Sequence, residues 1–148
     1  MGQSQPKPQP MKKPEMWDLC RLGDYPVGSI TSMVIDDKTQ NLLVGSDNGT
    51  IVIFDLALRN KPKHVYLDDI HSITALAFLN NKILLVATSH GNLKSISRDS
   101  FIVLESVDLF SDSIISIRVS SYSSLLALGT TRGKIVVITA AEKKKKLE

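Results

Sequence analysis

Short apolar runs separated by polar turns recur along the chain, and three of them close in the same way. The copies are Leu42-Leu43-Val44-Gly45-Ser46-Asp47-Asn48-Gly49-Thr50-Ile51, Leu84-Leu85-Val86-Ala87-Thr88-Ser89-His90-Gly91-Asn92-Leu93 and Leu126-Ala127-Leu128-Gly129-Thr130-Thr131-Arg132-Gly133-Lys134-Ile135. Their second glycines, Gly49, Gly91 and Gly133, stand 42 residues apart each time. A fixed period in this range marks a repeat protein.

Each unit predicts a run of short strands. A first strand follows a polar turn, at Ile30 to Ile35, Ile73 to Phe78 and Ile114 to Val119, with Ser or Asp preceding each one. Short polar turns at Asp36 to Asn41, Asn80 to Lys82 and Ser120 to Ser124 lead into the second strand, which is the apolar run above. The next reversal carries Gly49, Gly91 or Gly133, because glycine reaches the positive φ of a tight turn without steric cost. Third strands are expected at Thr50 to Phe54, Asn92 to Ile96 and Lys134 to Ile138, and more polar fourth strands at Lys63 to Leu67 and Phe101 to Ser106. The third unit has no fourth strand after it, and Trp17 to Leu22 is the candidate to supply one.

The fold expected is all-β: three four-stranded antiparallel blades of a β-propeller over residues 16–141. Three blades do not close a ring. The inner strands are near-continuous apolar runs, so both faces of each small sheet should be covered by neighbours. In an open row the first and last blades would each bare one face. Apolar patches beyond about 300–600 Å² rarely stay exposed on a soluble monomer. A second copy forming a six-bladed ring, a partner protein, or further chain is expected to cover them.

Composition narrows the function classes. The chain has 148 residues, 43% apolar and only 5% aromatic, so the faces pack with aliphatic side chains. The formal charge is +3, but residues 1–16 and 142–148 each carry +2 and the middle sums to −1, which argues against a nucleic-acid surface on the folded part. Residues 1–15, rich in Gln, Pro and Lys, read as a disordered tail, and residues 142–148, with Lys143 to Lys146, as a solvated basic tail. No apolar run is long enough to span a membrane. Cys20 is the single cysteine, and the N-terminal residues form no signal peptide, so a cytoplasmic, reducing location is expected.

From about residue 28 to 139 the chain resembles the WD-repeat family of β-propellers. Its best copy is Leu42 to Asp55, where Phe54-Asp55 stands in place of Trp-Asp; the other copies end in Ile96-Ser97 and Ile138-Thr139. Of that family's hydrogen-bonded set, Ser46, Thr88 and Thr130 match, whereas the turn position holds Asn48, His90 and Arg132, and His71 falls too close to Ile73. The repeats are therefore degenerate. The resemblance implies a rigid, non-catalytic platform that binds other proteins in complexes.

Motifs with chemical potential have structural explanations. Gly129-Thr130-Thr131-Arg132-Gly133-Lys134 misses phosphate-loop spacing by one residue and has Ile135 where Ser or Thr would reach magnesium. Gly45-Ser46-Asp47-Asn48-Gly49 places its serine one position early for a nucleophile elbow. Asn48-Gly49-Thr50 fits a glycosylation sequon but lies inside a tight turn. His64, His71 and His90 show no metal-ligand spacing, and Asp36-Asp37 and Asp68-Asp69 lie in turns where aspartate bonds nearby backbone. No catalytic residue, metal or cofactor is therefore assigned.

Asn48, His90 and Arg132 occupy equivalent turns and are the candidate partner-binding residues, suited in part to an acidic partner. The function expected is a protein-protein interaction scaffold completed by a partner, by self-association or by further chain. The alternatives are a self-contained small β-barrel or sandwich holding an apolar ligand, and an enzyme whose site is shared with a partner chain.

Overall fold

A computed structural model describes residues 28–58, 61–67, 71–121 and 125–139, and these residues are organised entirely as strands and turns. The strands are β1 (Ile30–Asp36), β2 (Asn41–Ser46), β3 (Thr50–Asp55), β4 (Lys63–Tyr66), β5 (Ile73–Phe78), β6 (Ile83–Thr88), β7 (Asn92–Ser97), β8 (Val103–Asp108), β9 (Ile114–Val119), β10 (Leu125–Thr130) and β11 (Ile135–Thr139). They form three antiparallel sheets ordered β1-β2-β3-β4, β5-β6-β7-β8 and β9-β10-β11. The all-β class read from the sequence is what the chain adopts.

Boundaries differ where the backbone turns. The expected strand from Phe101 begins instead at Val103, because Phe101 has φ 58 and donates its N–H to the Ser97 carbonyl at 2.9 Å, both features of a turn. β1 runs one residue further than expected, since Asp36 still pairs with Asn41 and the reversal is completed by Gln40 at φ 57. β11 starts at Ile135 rather than Lys134, and β4 stops at Tyr66.

Three sets of four strands were expected; the third sheet has three among the described residues. The described residues end at Thr139, the last residue of β11. The candidate Trp17 to Leu22, like both tails and Asp68-Asp69, lies outside the described residues.

Each first strand carries the same irregularity. The ladder shifts between Ile30 and Ser32 in β1, between Ile73 and Ala75 in β5, and opposite Gly129 and Thr130 in β9, where Ile115 is passed over. An extra residue there bends the strand and re-aims its side chains. Ile73 and Leu76 consequently share a face, as do Ile114 and Ile117.

The sheets pack in series, with the second between the other two. The first strands adjoin, β1 against β5 and β5 against β9. One core cluster joins Leu43, Ile51 and Ile53 of the first sheet to Ile73, Leu76, Leu84, Val86 and Ile96 of the second. The other joins Leu85 and Ala87 to Ile114, Ile117, Leu126 and Leu128 of the third. Alternation along β6 thus sends Leu84 and Val86 one way and Leu85 and Ala87 the other, which is why this strand lacks a polar face. Full burial of each Leu or Val is worth about 1.5–3 kcal/mol, so β6 is the centre of the molecule energetically.

Candidate functional site

The two outward-facing sheet surfaces are unlike. On the third sheet, β10 and β11 place Leu125, Ala127, Ile135 and Val137 on the face turned away from the second sheet, as their ladder pairs require. Ile135 is 81% exposed, Val137 62% and Leu125 40%. Ala127, Ile135 and Val137 are the repeat equivalents of Leu43, Ile51 and Ile53, which are buried because the next sheet covers them. Glycine reports the same contrast: a Cβ on Gly45 would lie 2.7 Å from Ile73 Cγ2, whereas one on its equivalent Gly129 would meet only Ser116 of the neighbouring strand, at 3.9 Å.

The outer face of the first sheet is exposed along β1 and β4, at Ile30, Met33, Ile35 and Tyr66. Val44 and Val52 at its centre are buried, though neither belongs to a core cluster. Both ends were expected to be bare; the third sheet meets that expectation and the centre of the first does not.

The turns between second and third strands are built alike. Ser46, Thr88 and Thr130 accept, through their hydroxyls, the N–H of the residue four positions on: Thr50 at 3.2 Å, Asn92 at 3.3 Å and Lys134 at 3.1 Å. Their carbonyls accept the N–H of Gly49, Gly91 and Gly133 at 3.3, 3.2 and 3.1 Å, and these glycines have φ of 82, 73 and 81. Each turn is also fastened to the start of its own first strand. The carbonyls of Ser29, Ser72 and Ser113 accept from Asp47, Ser89 and Thr131 at 3.0, 2.9 and 3.0 Å. These serines were visible in the sequence before each first strand, but a backbone acceptor leaves no side-chain signature.

Asn48, His90 and Arg132 are all exposed in these turns, and each is bound to its own sheet rather than to the other two. Asn48 Oδ1 accepts from the Ser46 hydroxyl and from Thr50 N at 3.2 Å, so it is spent on the turn. His90 stacks on His71, with ring centroids 3.4 Å apart and planes 18° from parallel. Arg132 donates its backbone N–H to Asp112 Oδ2 at 3.2 Å.

His71 and Asp112 therefore do related work two residues before Ile73 and Ile114, a shared offset that is legible in the sequence. Asp112 is buried and lies 3.5 Å from Lys134 Nζ. The Thr130 hydroxyl, with the Arg132 N–H and the Lys134 ammonium, holds its carboxyl below the usual aspartate range against the opposing effect of burial.

A second polar constellation closes a cleft of about 200 Å³ between the first two sheets, lined by Leu43, Phe78, Phe101, Asn41 and the pair Asp36–Arg98. Arg98 Nη2 lies 2.7 Å from Asp36 Oδ1, with side chains only 10% and 8% exposed. Its guanidinium stacks 4.0 Å from the Phe78 ring centroid and donates to the Asn80 carbonyl at 2.6 Å. Burial pushes the Asp36 carboxyl up, but the Arg98 hydrogen bond and charge and the Lys38 N–H outweigh it and hold the carboxyl below 3.8. The cleft is thus occupied by a satisfied ion pair, which suits a structural tie better than an apolar ligand. Among the described residues, no three His, Cys, Asp or Glu converge on one point.

Chemically, the third turn offers the exposed cations Arg132 and Lys134 beside an apolar surface that ends in β11, whose far edge pairs with no described strand. No protein-family model matches the chain, and no curated protein matches it in sequence.

Proposed function

We propose that this protein is a non-catalytic interaction scaffold, a three-blade portion of a WD-like propeller that a partner protein completes. The observation that carries the reading is the outer face of the third sheet, where Ile135, Val137 and Leu125 are exposed beside β11. Exposed apolar surface of this kind marks an interaction site. Serial packing of the sheets, adjoining first strands and turns locked identically at each repeat are the geometry that stacked blades require. The centre of the first sheet's outer face is already buried, which favours completion at the third sheet by a partner over head-to-tail closure by a second copy.

Capture from the source cells tests this, comparing the full chain with an Ile135→Asp/Val137→Asp variant, followed by identification of bound proteins. Both positions are exposed, so the variant should fold as the parent does. Loss of a specific bound protein in the variant is expected. An identical bound set with both proteins would contradict the reading.

A further inference from the structure

We propose that the partner contributes an extended segment that adds to β11 as an antiparallel fourth strand, with a Φ-x-Φ-acid pattern in which Φ is apolar. This rests on the scaffold reading and names how the partner is held.

The first two sheets each have a fourth strand that the third lacks among the described residues. β4 pairs with β3 and β8 with β7, while the far edge of β11 pairs with no described strand. Which backbone groups point to that edge follows from one hydrogen bond. Thr130 N donates to the Lys134 carbonyl at 3.0 Å, so Lys134, Val136 and Ile138 turn their backbone groups toward β10. Ile135, Val137 and Thr139 turn theirs outward. An unpaired row of this kind is a template for strand addition.

The second sheet supplies the chemistry of the occupant. There Leu93 pairs with Val107 and Asn92 with Asp108, and Asn92 Nδ2 donates to Asp108 Oδ1 at 2.8 Å. The repeat maps Leu93 onto Ile135 and Asn92 onto Lys134. A strand on β11 in that register sets apolar residues beside Val137 and Ile135, both widely exposed, and its next residue beside Lys134. Lys134, 3.5 Å from Asp112 Oδ1 with its side chain still 51% exposed, and the exposed Arg132 put two cations against one carboxylate at that end, so the residue there is an aspartate or glutamate. Ser106, Val107 and Asp108 of β8 already carry the last three positions of the pattern.

The test uses the full chain and a synthetic peptide with a Val-Ser-Val-Asp core flanked by Gly and Ser, read by residue-resolved amide hydrogen exchange. Saturating peptide should slow exchange at Ile135 and Val137 about tenfold or more. Lysine in place of the peptide aspartate should weaken binding about fivefold. Val137→Pro removes one outward N–H without touching the β10 ladder and should abolish binding while leaving the fold intact.

Three results would overturn strand addition. The first is slowing on concentration of the protein alone with a doubled mass, which makes a second copy the occupant. The second is edge amides already slow in the dilute free chain, which means this chain fills its own edge. The third is failure of the peptide to slow them at millimolar concentration. If partner capture survives Val137→Pro but is lost in Ile135→Asp/Val137→Asp, strand addition is wrong and the scaffold reading stands.

Discussion

Gly91 and Gly133 occupy the same position in successive repeats and the same backbone region, with φ of 73 and 81, yet their surroundings differ. A Cβ on Gly91 would collide with the Phe110 carbonyl oxygen and lie 2.7 Å from that of Asp112, because the link from β8 to β9 crosses directly over this turn. That link is fastened there, Leu109 N and Phe110 N both donating to the Gly91 carbonyl at 2.9 and 3.2 Å. A Cβ on Gly133 would meet nothing within 4 Å. Alanine at either position pays about 1–2 kcal/mol for the left-handed backbone. At Gly91 the collision is with backbone, which has no rotamer to escape through, and adds about 1–3 kcal/mol. Gly91→Ala is therefore expected to cost about 2–5 kcal/mol and Gly133→Ala about 1–2 kcal/mol in urea unfolding, with melting temperatures separated by roughly 8 °C at the middle of these ranges. Equal costs, within about 0.5 kcal/mol, would refute the crowding argument.

Other consequences are sharper for being local. Asp36→Ala leaves Arg98 with an unpaired charge in the cleft and should destabilise the protein by about 3 kcal/mol, with a double-mutant cycle against Arg98→Met showing strong coupling between the two. Asp36 and Asp112 both titrate below the aspartate value of 3.8 in the folded state, so their contribution is complete above that pH and is lost as pH falls through the lower folded values; chemical denaturation from pH 6 to pH 2 should show this, with a shallower acid slope in Asp36→Asn. Thr88→Val deletes the hydroxyl that accepts Asn92 N–H at 3.3 Å and should cost about 1 kcal/mol or more in thermal unfolding, as a buried donor is left unpaired. Ile135→Asp/Val137→Asp should change unfolding free energy by no more than about 0.5 kcal/mol, since both side chains already face solvent.

Most of the strand framework was legible because its signals are local. Apolar runs near six residues long, polar breaks and a glycine every 42 residues identify eleven strands to within a residue or two. Features that depend on what lies above a residue were not legible. The bulges at the starts of β1, β5 and β9 carry Thr31, Thr74 and Ile115, β-branched residues that are equally at home in a regular strand and so do not mark a bulge. Arg98 was unremarkable in sequence, 62 residues from Asp36, and becomes central only when two sheets close over both.

The turn residues divide in the same way. Ser46, Thr88 and Thr130 were visible as repeats of one hydroxyl, and the structure gives all three one bond. Asn48, His90 and Arg132 were visible as equivalent positions, but Asn48 is consumed by its own turn and His90 by His71. The apolar surface beside them was foreseen as a bare face at each end. Burial of Val44 and Val52 closes the centre of the first sheet's outer face, while Ile135 and Val137 at the centre of the third stay exposed.

Residue-resolved amide exchange on the dilute full chain tests most directly whether the third sheet ends unfinished. Ile51 and Leu93 face fourth strands, β4 and β8, and their equivalent Ile135 faces none described. The expected result is slow exchange at Ile51 and Leu93, slow exchange at Val136 and Ile138, and fast exchange at Ile135 and Val137. Protection of Ile135 and Val137 equal to that of Ile51 and Leu93 would contradict an open third sheet.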